Sequence, residues 1–90
     1  MPKEVSSEEK KQVITKDSRN LGETVSYNID TSNWTVTSVI VELNRDMIRP
    51  LKVKKPFLNK AKIRIRIDQI VSVGDVIQLS MDLETLRTNL

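Results

Sequence analysis

The chain carries few of the side chains that perform catalysis. Its 90 residues include no histidine and no cysteine, so the commonest general base near neutral pH and the thiolate nucleophile are both missing. Five of its six aspartates stand at scattered, turn-like positions without the dense spacing of a calcium loop, namely Asp30, Asp46, Asp68, Asp75 and Asp82. Gly22 and Gly74 are too far apart for a phosphate-binding loop. The sequence therefore predicts a protein that is not an enzyme and that holds no metal or cofactor.

One basic segment is the candidate binding face. Its members are Lys52, Lys54, Lys55, Lys60, Lys62, Arg64 and Arg66. In a strand over residues 62–68 the last three would project from one face, each about 7 Å from the next. Such a stripe can meet the phosphates of RNA or an acidic patch on a protein. No aromatic side chain is interleaved to stack on bases, and a solvated face or a lysine-guarded strand edge is the alternative.

Trp34, the only tryptophan, also has two interpretations. It could be an exposed platform that stacks on a base or a peptide. Because the chain has so few aromatic residues to fill a core, the sequence favours a buried anchor at a hairpin corner.

The elements that would position these residues are strands. Within residues 21–43, LGETVSYNIDTSNWTVTSVIVEL, apolar Val25, Tyr27 and Ile29 alternate with polar residues, which is typical of a half-buried strand. The turn-forming residues 30–33 and a second run rich in Val, Ile and Thr follow. The pattern predicts a central β-hairpin.

The alternation shifts phase within the second strand of this hairpin. Trp34 and Val36 share one parity, whereas Val39, Val41 and Leu43 hold the other. A β-bulge near Ser38 would reset the phase, and a strand buried on both faces is the alternative. The bulge is favoured because the domain is too small for a two-sided core.

The remaining segments complete one small domain. Residues 1–11 are polar and are predicted to be a disordered tail, and residues 12–80 form the folded domain. A short strand at 12–15, a short helical turn within 44–60, a strand at 62–68 with Ile63, Ile65 and Ile67 inside, and a closing strand at 76–79 are expected. Residues 81–90 form a tail that is either helical or involved in dimerisation, with Leu83, Leu86 and Leu90 as the predicted dimer contacts.

Composition and element count define the class. Five or six short strands separated by turns predict an all-β fold, and at this length a small barrel is favoured over a sandwich. Residues 1–12 have no apolar core typical of a signal peptide, and no apolar run is long enough to span a membrane. We therefore expect a cytoplasmic protein without membrane insertion. The net charge of +3 permits binding to nucleic acid or an anionic partner without requiring it.

Three motifs in order resemble the PRC-barrel family. They are the LG turn at residues 21–22, the D..NW.V corner at 30–36 and the SVGDVI.L closure at 72–79, and the resemblance extends over residues 13–79. The family includes the C-terminal domain of the ribosome maturation factor RimM and the cytoplasmic domain of the photosynthetic reaction-centre H subunit. The chain is most similar to the short stand-alone members found in archaea.

The resemblance implies an SH3-like β-barrel with a docking role instead of a reaction. The first hypothesis is accordingly a module that binds a protein partner, or a second copy as a homodimer, through a strand edge or barrel face. The second is an RNA- or ribosome-associated accessory protein that uses the basic segment. Small-ligand binding inside the barrel is a weak third, because a barrel of this size is filled by its own side chains.

Overall fold

A computed structural model describes residues 2–6, 9–51 and 61–88. The strands in this part of the chain are β1 (Pro2–Ser6), β2 (Gln12–Ile14), β3 (Asn20–Asp30), β4 (Thr35–Leu43), β5 (Lys62–Arg66), β6 (Ile70–Val73) and β7 (Val76–Leu79). The helices are α1 (Ile48–Leu51) and α2 (Leu83–Thr88), with 3₁₀ turns at Arg45–Met47 and Ile67–Gln69. None of the helices in the described residues has the length and apolar character that crossing a lipid bilayer requires.

The strands form one mixed sheet, so the predicted all-β class is confirmed. In the described residues the order is β5-β4-β3-β2-β7-β6, with β1 also paired to β3. Only the pairing of β2 with β7 is parallel among these ladders. The sheet has seven strands instead of the five or six expected, and its path does not close from β5 to β6. Both β5 and β6 therefore have one edge without a described partner.

The β3–β4 hairpin lies at the centre of this sheet, as predicted. Its ladder contains two bulges, because Val25 on β3 and Thr37 on β4 have no opposite residue. The bulge at Thr37 adjoins Ser38, which confirms the bulge predicted there from the phase shift. Each bulge lets the strand change the face it presents to the core without ending the ladder.

Alternate residues of the strands build the core. The fully buried apolar side chains include Val13, Leu21, Val39, Val41, Ile65, Ile77 and Leu79. The helical turn predicted within 44–60 is present over Arg45–Leu51, and it buries Met47 and Leu51 against this core. Helix α2 packs against α1 and contributes Leu86, of which only 1% is exposed.

The N-terminal segment differs from its predicted disorder. Pro2–Ser6 pair with Ser26–Asp30 of β3 on the edge opposite β4, beyond the point where β2 ends. The Ser26 hydroxyl also donates a hydrogen bond of 2.7 Å to a Glu4 carboxylate oxygen. Backbone pairing with an otherwise open strand edge does not depend on apolar side chains, so composition alone misses it.

The strand predicted at 62–68 is shorter than expected. Ile63 and Ile65 are buried as predicted, but β5 ends at Arg66 and the chain enters a 3₁₀ turn. The Gln69 side-chain oxygen accepts a hydrogen bond of 2.9 Å from the Arg66 amide and so supports the turn. Ile67 consequently leaves the core and is 45% exposed, which corrects its expected inward position.

A substitution at Gly22 tests how closely β3 and β4 pack at the base of the hairpin. Its φ is +153°, and a Cβ placed there would lie 2.0 Å from the Glu42 carbonyl oxygen. We expect Gly22→Ala to lower the free energy of unfolding by at least about 2 kcal/mol in urea denaturation, because overlap and backbone strain add. Gly74→Ala is the matched control: nothing lies within 4 Å of its added Cβ. Equal stability of the two variants would contradict the close approach of β3 and β4 at this position.

Candidate functional site

The outward side of β5 is the described part of the predicted basic face. Lys62, Arg64 and Arg66 are all exposed, whereas Ile63 and Ile65 between them are buried. The strand phase inferred from the sequence is therefore confirmed for these residues. Lys52, Lys54, Lys55 and Lys60 of the same predicted face lie outside the described residues.

The three cations of β5 have different surroundings. In the ladder with β4, Lys62 lies opposite Glu42 and Arg64 lies opposite Ile40. The Arg66 side chain is 3.4 Å from the Asp68 carboxylate, and both are well exposed, so this ion pair contributes little to stability. Arg64 is thus the cation of β5 whose ladder partner is apolar, which leaves its guanidinium the best placed to meet an external anion.

Trp34 lies on the surface, so its predicted role as a buried anchor is wrong. Its side chain is 76% exposed, the most exposed large apolar residue among those described. The reason is its place in the chain: the last ladder pair joins Asp30 to Thr35, and the turn at residues 31–34 extends beyond it. No described element packs over that turn to cover the indole. The turn-forming residues just before Trp34 were the sequence signal for this position.

The backbone at Trp34 adopts an uncommon conformation. Its φ of +57° lies in the left-handed region, which is unfavourable for a bulky L-residue. Hydrogen bonds on both sides hold the turn in this shape. An Asp30 carboxylate oxygen accepts from the amide and hydroxyl of Ser32, and the Asn33 side-chain oxygen accepts from the amide and hydroxyl of Thr35. The indole is therefore presented to solvent by a turn with fixed geometry.

The same hydrogen bonds affect ionisation in the turn. Donation from the hydroxyl and then the amide of Ser32 lowers the pKa of Asp30 below its ordinary value of 3.8. The carboxylate is ionised at neutral pH, and the stabilisation from its hydrogen bonds is lost only as the pH falls through that lowered pKa. The tip of the hairpin thus carries one negative charge beside an exposed indole.

The described residues also form a groove at the opposite end of the hairpin. It has a volume of about 290 Å³ and is lined by Lys10, Glu23, Glu42, Leu43, Asn44, Arg45, Ile48 and Ala61. Glu23 and Glu42 face each other across the β3–β4 ladder. The lining also contains two cations, Lys10 and Arg45, so it has no net preference for an ion of either sign. Among the described residues, no three acidic side chains come together as metal ligands.

The C-terminal leucines predicted as dimer contacts have separate positions. Leu86 is buried in the core of its own chain, and Leu83 is half-buried against that core. Leu86 can therefore contact a second copy only if α2 is exchanged between chains. Leu90 lies outside the described residues.

No protein-family model matches the chain, and none of the curated proteins compared with it matches either. Inferences about function consequently depend on the residues of this chain and on the surfaces described above.

Replacing Trp34 should show how much its left-handed backbone conformation lowers the free energy of unfolding. Trp34→Asn removes the indole and introduces a residue that tolerates the left-handed region, so we expect the free energy of unfolding to rise by about 1 kcal/mol. Trp34→Ala is the matched control, since it removes the indole but keeps the unfavourable conformation. Urea denaturation followed by circular dichroism, at low protein concentration, measures both. Large destabilisation by both variants would mean that the indole is packed in the core.

Proposed function

We propose that the chain is a non-enzymatic docking module of the PRC-barrel type, which binds an acidic segment of a partner protein through strand β5. The observation that carries the proposal is the combination of an edge strand with a basic outward face. Three successive outward side chains of β5 are exposed cations, and only β4 pairs with it among the described strands.

An edge strand of this kind can bind in two ways at once. Its unpaired backbone groups can accept an extended segment of a partner as an additional strand. Its side chains then choose among partners, because Lys62, Arg64 and Arg66 attract acidic residues and repel basic ones. Arg64 has the clearest part in this selection, since its neighbour in the ladder is Ile40 instead of an acid.

The PRC-barrel assignment is part of the proposal. Its support is the resemblance over residues 13–79 together with the all-β fold and the short helical turn after β4. The resemblance implies a closed barrel and the sequence pattern predicts five or six strands, whereas the described sheet has seven strands and an open path. The docking role depends on the open edge of β5, which a closed barrel would not offer.

RNA binding is the second candidate, and exposure of Trp34 is the observation in its favour. An exposed indole can stack on a base, which the sequence alone argued against. The cations of β5 would then contact phosphates without reading the base sequence. A ribosome-associated role belongs to this candidate.

The double variant Arg64→Gln/Arg66→Gln tests the acidic-partner proposal. Affinity purification from the native cell, with nuclease treatment, should retain a partner with the wild-type chain and lose it with this variant. Lys16→Gln/Arg19→Gln is the control, because it removes the same charge from exposed positions outside β5. Equal retention by both variants would show that β5 does not select the partner.

The same variants separate RNA from protein. If the β5 cations contact phosphates, affinity for a single-stranded RNA should fall with salt by a log–log slope of about 0.7 for each contact. The Arg64→Gln/Arg66→Gln variant should then reduce that slope by up to about 1.4, the sum for two contacts, without changing base preference. A nuclease-sensitive partner set with this salt behaviour would favour RNA over an acidic protein.

A further inference from the structure

Three exposed apolar side chains lie at the tip end of the β3–β4 hairpin. They are Trp34, 76% exposed, Val36, 39% exposed, and Ile67, 45% exposed, and together they are called the tip patch below. Ile67 belongs to this end because the preceding residue, Arg66, pairs with Ser38 near the start of β4, and the 3₁₀ turn Ile67–Gln69 packs on β4. The patch arises where β4 extends past the end of β5.

The backbone that presents the indole of this patch to solvent is fixed by hydrogen bonds. Two hydrogen-bonded turns, at Asp30 and Asn33, fix the backbone around Trp34. A backbone that is already ordered loses little conformational freedom on binding, and a tryptophan offers a large apolar area. A left-handed tryptophan is unfavourable in the isolated chain, and burial against another molecule would offset that penalty.

Charges of both signs border the tip patch. Asp30 is the last residue of β3, directly before the turn. Lys3 is paired with Ile29, and Ile29 is also paired with Val36. On the other side, Arg66 and Asp68 flank Ile67 in the sequence, and their side chains lie 3.4 Å apart. A border with acids and bases in equal number can face its own copy, because a two-fold rotation can place acids opposite bases. Among the described residues this border lacks the uniform positive charge that would hold a nucleic acid.

We propose that the tip patch is a two-fold interface with a second copy of this chain, with Trp34 at its centre. The inference does not depend on the acidic-partner site on β5. It places the dimer interface at the hairpin tip, where the apolar residues are exposed, instead of at the C-terminal leucines predicted from the sequence. A patch with three apolar side chains lies at the small end of specific interfaces, so the dimer is weak and reversible.

The only tryptophan in the chain provides a direct measurement. Sedimentation should show a monomer–dimer equilibrium over micromolar to millimolar protein. Over the same concentrations the Trp34 emission maximum should move to shorter wavelength, since the indole leaves water as the dimer forms. Trp34→Asn should raise the dimer dissociation constant at least about tenfold, as for a central contact residue.

Val71→Ser is the matched control. Val71 is 62% exposed on β6, outside the tip patch, so its replacement also removes an exposed apolar side chain. This variant should dimerise like the wild type. Arg64→Gln should also keep the dimer, so that failure of the β5 proposal and failure of this one are distinguishable.

Three results would overturn the proposal. The first is a wild-type chain that stays monomeric at millimolar concentration. The second is a dimer in which Trp34 emission remains that of an exposed indole, or which Trp34→Asn leaves unchanged, since the interface would then lie elsewhere. The third is a shift of Trp34 emission in dilute protein on addition of a short polyuridine strand, which would assign the indole to base stacking.

Discussion

The close contact between β3 and β4 at Gly22 is the constraint on which the rest of the sheet depends. Gly22 pairs with Val13 of β2 on one side and with Leu43 of β4 on the other, so three strands meet at a residue without a side chain. Any Cβ at this position would overlap the Glu42 carbonyl. Because the neighbouring Val13, Leu21 and Leu43 are buried, this contact aligns the ladder with the core.

Both candidate surfaces, the β5 edge and the tip patch, result from the unequal lengths of β4 and β5. β4 covers Thr35–Leu43, whereas β5 covers Lys62–Arg66 and pairs only with the part of β4 from Ser38 to Glu42. Where β5 is present, it forms a basic edge. Where β5 has ended, no described strand continues beside the hairpin on that side, and apolar side chains are left in solvent. The two surfaces differ in chemistry and can therefore serve different contacts.

Two surface features of the described residues are suited to binding. The groove near Leu43 combines two acids with two cations and so shows no preference for an ion of either sign. The features that distinguish the molecule are instead an edge strand and a hydrogen-bonded turn that presents an indole. Edge strands and ordered aromatic side chains are typical means of recognising another protein.

The sequence by itself determined the elements whose side chains alternate, and the tertiary structure decided which residues at their ends are covered. Periodicity is a local property of the chain. It predicted the β3–β4 hairpin, the bulge next to Ser38 and the inward positions of Ile63 and Ile65. Exposure of Trp34 was not readable in this way. Whether a residue at the end of a ladder is buried depends on which distant strand extends beside it, and β5 ends too early to cover the tip. The pairing of β1 with β3 was decided similarly, because a free strand edge offers backbone hydrogen bonds that side-chain composition does not encode.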